Sequence, residues 1–226
     1  MKIVTVDVET TGLDAENGSI VELAIVSLPS FTYFSSLVKP EHPIELQAMA
    51  THHILEEEVA DADPFEKVIA DSMIEEADYI AAHNAAFDMS FLRIDKPVIC
   101  TWRCARHLYP DCPSHSNQVL RYYLKLNDKI QSDKDGKKIM KLPPHRALPD
   151  AWVTAHILNV MLETKTPEEL VALTKKPILL KMCNFGKHRG TEWENVPRDY
   201  MAWMLRQKPG FDPDTTFTIK HHLGVV

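Results

Sequence analysis

The chain has 226 residues, 45% of them hydrophobic, and a formal net charge of −7, which suffices for one main buried core and a small appendage. No run approaches the roughly 18 to 20 apolar residues of a membrane-spanning helix, and the N-terminus leads straight into a strand pattern with no cleavable signal. Cys100, Cys104, Cys112 and Cys183 are too few and too unevenly spaced for a disulfide framework, so a soluble cytoplasmic protein with no membrane partner is expected.

The net charge conceals an asymmetry: residues 1–100 hold 5 Lys and Arg against 19 Asp and Glu, whereas residues 101–226 hold 20 against 13. An acidic half that gathers metal and a basic half that faces phosphates would give this pattern, although solvated surface charge is its commoner source.

In chain order, residues 2–9, 20–28 and 32–38 are β-branched runs with short spacers, which predict an antiparallel meander. Helical patterns follow near 45–51 and 64–77, then a short strand at Tyr79–His83 leading into a helix at about 85–93, and another strand at 97–100. The polar stretch Asn127–Lys141, with Asp135-Gly136, reads as an exposed loop. Beyond it Leu148, Ala151, Trp152, Ala155, Leu158, Met161 and Leu162 recur at helical steps, predicting a long helix ending near Glu163 with one face on the sheet and Pro149 in its first turn. Thr166-Pro167-Glu168-Glu169 starts a short helix, and Pro177 precedes a segment rich in Lys and aromatic residues. The expected organisation is a domain over 1–165, a connection over 166–177 and a small module over 178–226.

Asp7 and Glu9 stand two apart on an otherwise apolar strand, so both side chains point to one face, roughly 6.6 Å apart along the backbone. If buried, two converging carboxylates repel and call for a cation between them, for which Mg²⁺ or Mn²⁺ suits an all-oxygen site. Taken alone, a D-x-E pair reads more readily as a solvated strand end, and it is the company of further acids that favours the metal. Asp88 closes His83-Asn84-Ala85-Ala86-Phe87-Asp88 at a strand-to-helix turn, and His145 and Asp150 bracket the start of the long helix.

Val6-Asp7-Val8-Glu9-Thr10-Thr11-Gly12-Leu13, the segment His83 to Asp88 and His145-Arg146-Ala147-Leu148-Pro149-Asp150 together resemble the three ordered motifs of the DnaQ-like, or DEDDh, 3′→5′ exonucleases. The resemblance covers roughly residues 1–165, and Ala50-Thr51-His52-His53-Ile54-Leu55 is similar to the family's H-G-I-T segment with His53 where Gly is usual. Asn184-Phe185-Gly186-Lys187-His188-Arg189-Gly190 and Val196-Pro197-Arg198-Asp199-Tyr200-Met201-Ala202-Trp203 resemble a C-terminal module carried by one DNA-degrading branch.

The resemblance implies an α/β, ribonuclease-H-like mixed sheet flanked by helices, with a small C-terminal module. It implies catalytic residues Asp7, Glu9, Asp88, His145 and Asp150, with Asp7, Glu9 and Asp150 around one divalent ion, Asp7 bridging to a second, Asp88 acting mainly through water and His145 as general base. The terminal nucleotide is then expected against Thr10, Gly12, Leu13, His83, Asn84, Phe87 and Phe91, with Leu13 as a wedge, although for Phe87 and Phe91 simple core packing carries at least equal weight. The expected partner is a DNA 3′ end, single-stranded or frayed, bound without regard to sequence.

An RNA-directed enzyme of the same fold and a non-catalytic DNA-binding or polymerase-associated subunit are the competing readings. A zinc site from Cys100, Cys104 and Cys112 with His107 and His115 lacks a paired C-x-x-C and is disfavoured against ordinary packing. The basic run Arg121, Lys125, Lys129, Lys134, Lys137, Lys138 and Lys141 reads with equal weight as a path for DNA and as a solvated loop.

Overall fold

The short spacers at the N-terminus do give a meander: β1 (Ile3–Thr10), β2 (Ile20–Leu28) and β3 (Thr32–Leu37) are antiparallel neighbours. The computed structural model describes residues 1–130 and 144–225; Asp135-Gly136, Lys134, Lys137, Lys138 and Lys141 fall outside them. Before β4 (Tyr79–Ala82) come α1 (Leu46–His52), α2 (Glu56–Val59) and α3 (Phe65–Ala70), and before β5 (Val98–Cys100) comes α4 (Ala86–Leu92). A strand that returns through a helix can pair in parallel, and β4 and β5 do so, giving a mixed sheet of order β3-β2-β1-β4-β5. The chain continues through α5 (Thr101–Leu108), α6 (Asn117–Tyr123), α7 (Asn127–Ile130), α8 (Ala147–Leu162) and α9 (Pro167–Lys175).

Alternation along β1 divides the core. Val4, Val6 and Val8 enter a cluster with Leu23, Ile25, Ile80, Phe91 and Leu92. Ile3, by contrast, joins Ala151, Ala155 and Leu158 of α8, and buried Thr5 donates through Oγ1 to the Ala151 carbonyl at 3.0 Å. Asp7 and Glu9 continue that second face, so the register that buries the valines also turns both acids toward α8.

Three expectations change. The predicted helix over 64–77 ends at Ala70, where the Ser72 hydroxyl donates to the Ile69 carbonyl at 2.6 Å and offers the backbone a turn. The polar stretch from Asn127 opens as a helical turn because Leu126 and Ile130 are buried beside α8. The long helix does not bury a single stripe: Val153, Thr154 and Ile157 are buried along with Ala151, Trp152 and Leu158, since α5, α6 and α7 pack against it as well as the sheet.

His53 follows α1 with φ 60°, in the left-handed region, while its N–H closes on Met49. That conformation suits glycine and costs another residue about 1 kcal/mol. His53 is exposed, so His53→Gly is expected to raise unfolding stability by about 1 kcal/mol in chemical denaturation; a loss would show that the imidazole makes a compensating contact.

The chain forms two compact units, Met1–Thr174 and Lys175–Val226. The second is built from α10 (Arg198–Met204), α11 (Pro213–Leu223) and two 3₁₀ turns at Gly186–His188 and Trp193–Asn195. Its core is Cys183, Trp193, Val196, Met201, Met204 and Ile219. Asp212 caps α11 by accepting from the Thr215 N–H at 3.0 Å.

Candidate active site

The carboxylates of Asp7 and Glu9, from the end of the central strand, meet that of Asp150, from the first turn of α8, with ligand oxygens all within 4.8 Å of one another. Asp88 is placed differently. β4 accompanies β1 only as far as Thr5, and the buried Asp88 carboxylate then accepts the Val8 N–H at 3.3 Å.

Burial and mutual repulsion dominate this cluster. Burial first, then the charges of Asp88, Asp150, Glu9 and Glu22, raise Asp7 well above the carboxylate range. Burial together with Asp150 and Glu22 pushes Glu9 up to about 8, and burial takes Asp88 to about 7. Asp150 is also raised by burial, against the opposing His145 N–H, the His145 charge and the Gln118 amide. So many oxygens with so little positive charge fit a hard divalent cation. Among the described residues this is the sole acidic, His or Cys cluster able to hold a metal. The cysteines are committed to packing: Cys104 Sγ donates to the Leu170 carbonyl at 3.3 Å and Cys112 Sγ to the Ser114 carbonyl at 2.9 Å.

His145 has φ 62° and donates its backbone N–H to Asp150 Oδ2 at 2.8 Å. Its side chain is exposed, and the ring makes no hydrogen bond among the described residues. Asp150 Oδ1 accepts from Gln118 Nε2 at 3.2 Å, while Asn117 Nδ2 reaches the Asp150 carbonyl and Thr154 Oγ1 at 3.1 and 2.9 Å. The start of α8 is thereby held from α6.

Sequence reasoning missed a second fastening. Buried Glu22 on β2 is the register partner of Glu9 on β1 and accepts from Arg146 Nε and Nη2 at 3.0 and 2.7 Å and from the Ala147 N–H at 2.9 Å. A bidentate, charge-assisted pair of this kind fixes orientation as well as position, and here it ties the residue after His145 to the sheet. His52, read in the sequence only as part of the H-G-I-T-like segment, has a structural role that the sequence did not reveal: it is buried, its Nδ1 accepts the Ile54 N–H at 3.0 Å and its Nε2 lies 3.3 Å from the Thr10 carbonyl. Burial lowers its pKa, which keeps it a neutral brace beneath the end of β1.

The expected nucleotide pocket is unevenly equipped. Leu13 is 86% exposed, beyond Gly12, where an added Cβ would collide with the Glu45 carboxylate. Thr10 is buried and its hydroxyl is spent on the Gly12 carbonyl at 2.7 Å. Both ring nitrogens of His83 are engaged, by Thr101 Oγ1 and the His115 carbonyl, each at 2.9 Å, and burial drives the ring down to about pKa 4. Its hydrogen bonds are therefore structural and only its ring surface remains to offer. Asn84 is exposed with φ 66°. The Phe87 and Phe91 rings lie 5.2 Å apart; Phe91 is core, while Phe87 is half-buried.

A mixed sheet that gathers acids from its central strand, the next strand-to-helix turn and a long helix defines a ribonuclease-H-like metal-dependent hydrolase. Residues 4–158 match the family described as Exonuclease, of the RNase T type. The chain is 36% identical over 231 residues to exodeoxyribonuclease 10 of Escherichia coli K12, covering 96% of this chain and 97% of that protein. It is 30% identical over 178 residues to the PolC-type DNA polymerase III of Bacillus subtilis, covering 71% of this chain but only 11% of that longer protein. Among solved structures it matches exonuclease X in complex with 5′ overhanging duplex DNA at 34% identity and a TM-score of 0.62, covering 76% of this chain and 99% of that one. It shares the fold of the nuclease domain of 3′hExo, a DEDDh family member bound to rAMP, at 19% identity and a TM-score of 0.54, covering 72% and 92%.

The chain belongs to this exonuclease family and is a nuclease, which sets aside the non-catalytic reading. Its helices give no candidate membrane span: among the described residues none is long and apolar enough to cross a bilayer.

Proposed function

We propose that the protein removes nucleotides one at a time from the 3′ end of DNA, independently of sequence, releasing nucleoside monophosphates with two Mg²⁺ or Mn²⁺ ions at the site. The observation that carries this reading is the convergence of Asp7, Glu9 and Asp150, with Asp88 tethered beside them and an exposed His145 at the rim. DNA is favoured over RNA by the relative named exodeoxyribonuclease 10, to which the chain is similar along nearly its full length.

Asp7, Glu9 and Asp150 would hold the ions, with Asp88 contributing through water. When bound, such a pair lowers the pKa of the attacking water, neutralises the phosphate and stabilises the departing 3′ oxygen. His145 takes the water's proton at a ring nitrogen as the water oxygen bonds to phosphorus and the bond to the 3′ oxygen of the preceding nucleotide breaks. Gln118, Asn117 and the Glu22–Arg146 pair keep Asp150 and the His145 backbone in place through that exchange. Matched DNA and RNA oligonucleotides labelled at either end test the proposal. Mononucleotide released first from labelled DNA 3′ ends supports it; release from 5′ ends, or a strong preference for RNA, overturns it.

Leu13 serves as the wedge in this reading, an apolar side chain held out on a turn whose glycine cannot be replaced without displacing Glu45. Opening a terminal base pair costs a few kcal/mol, so Leu13→Ala is expected to slow digestion of blunt duplex ends more than of single strands. Equal slowing on both substrates rejects the wedge.

A further inference from the structure

The C-terminal unit carries an array that catalysis at the acidic site does not use. Its two tryptophans have opposite fates: Trp193 is fully buried in the unit's core, whereas Trp203 on α10 is 47% exposed. One turn earlier on the same helix face, the Tyr200 ring lies 5.3 Å from Trp203 at 30°, and His188 from the first 3₁₀ turn lies 4.6 Å from Tyr200 at 66°. Three ring systems are thus contiguous, running from Tyr200, half-buried against the unit's core, to His188 on one side and the exposed Trp203 on the other.

The turn holding His188 is built to stay in place. Gly186 has φ 65°, and a Cβ there would come within 3.1 Å of Tyr200 Oη, so the turn lies directly against the tyrosine. The Gly190 N–H closes the segment on the Cys183 carbonyl at 2.7 Å. On either side of His188, Lys187 and Arg189 are exposed, and no carboxylate pairs with either among the described residues. Residues 175–226 hold nine Lys and Arg against five Asp and Glu, while residues 1–174 hold 16 against 27. Positive charge therefore concentrates on the unit that also shows the rings.

We propose that His188, Tyr200 and Trp203 form a stacking platform for unpaired bases of single-stranded DNA, with Lys187 and Arg189 holding the adjoining phosphates. Aromatic faces accept any base, and unpaired basic side chains beside them supply backbone contacts, so the site binds single strands without sequence preference. The choice of occupant rests on the nuclease reading; the platform itself is a binding site distinct from the acids of the first unit.

The test measures binding without turnover, using the full chain in chelator and an oligothymidylate. Tyr200→Ala/Trp203→Ala is expected to weaken binding about tenfold or more, and Trp203→Phe to restore most of it while abolishing the quenching of tryptophan emission by bound bases. An abasic strand of equal charge is expected to bind wild type and the double variant alike. Lys187→Ala/Arg189→Ala is expected to reduce the slope of log affinity against log salt by about 1.4, the value for two lost single-strand phosphate contacts. Unchanged thymidylate affinity in a folded Tyr200→Ala/Trp203→Ala protein overturns the platform. So does equal loss on the abasic strand, or displacement of DNA by polyglutamate at matched charge. Wild type that binds in this way but never releases mononucleotide with Mg²⁺ would instead sink the nuclease assignment and leave the platform standing.

Discussion

Asp7→Ala and Asp150→Asn are each expected to remove nearly all nuclease turnover while leaving a folded protein. In chelator Asp7→Ala is expected to be more stable, whereas in Asp150→Asn the new amide N–H faces either the His145 N–H or the Gln118 amide and offsets the gain. Asp7→Ala deletes a whole carboxylate from the three-carboxylate cluster and Asp150→Asn exchanges one of its oxygens for a neutral amide nitrogen, and both relieve repulsion. The pH dependence has a definite sign. Glu9 is raised from the ordinary 4.5 to about 8, so its protonated form is the one the fold favours. Its contribution to stability is complete below about pH 4.5 and is lost as pH climbs through about 8; Asp88, raised to about 7, acts in the same direction over a lower window. In chelator the wild-type melting temperature is therefore expected to fall between pH 5 and 8.5, and Asp7→Ala, which removes one of the repelling charges, to fall less. Activity and melting are measured on the same preparations. A variant that retains near-wild-type turnover in Mg²⁺, or a wild-type protein fully active in excess chelator, refutes the metal-site assignment.

His145→Ala is expected to lower turnover roughly 10²- to 10⁴-fold with metal and DNA affinity retained, the range for loss of a general base. The structure exposes a confounding effect: at φ 62° alanine is strained, and that backbone N–H is what holds Asp150. His145→Asn tolerates the left-handed conformation better while lacking a base, so it separates chemistry from geometry. If both variants are slow in single-turnover cleavage, the imidazole is the base. A folded His145→Asn enzyme with the wild-type rate from pH 6 to 9 eliminates it.

Much of the architecture was legible because local rules act over short spans. Period-two alternation places Asp7 and Glu9 together on the face opposite Val6 and Val8, and the spacing of the first three strands dictates a meander. What escaped was set by partners remote in sequence. Glu22 and Arg146 lie 124 residues apart, and nothing in the local sequence of either points to the other. His52 looked like part of a motif, yet its service is to the Thr10 carbonyl. The long helix displayed an apolar stripe, but Val153, Thr154 and Ile157 are covered only because later packing surrounds α8. His83 was expected at the nucleotide through the family resemblance, and the structure narrows what it could offer there to its ring surface, since Thr101 and His115 already occupy its nitrogens.

The acids are donated by strand, turn and helix in the order in which a ribosome makes them. Asp7 and Glu9 come first, Asp88 follows, and Asp150, with its brace from Gln118 and its neighbour Arg146 clamped to Glu22, comes last. Chains begin to fold during synthesis from the N-terminal side, so the meander can form while the site is still missing its third carboxylate. A growing chain accordingly holds no assembled cutting centre until α8 has emerged and docked on β1. Translation order thus places completion of the hydrolytic site after the synthesis of everything that precedes Asp150.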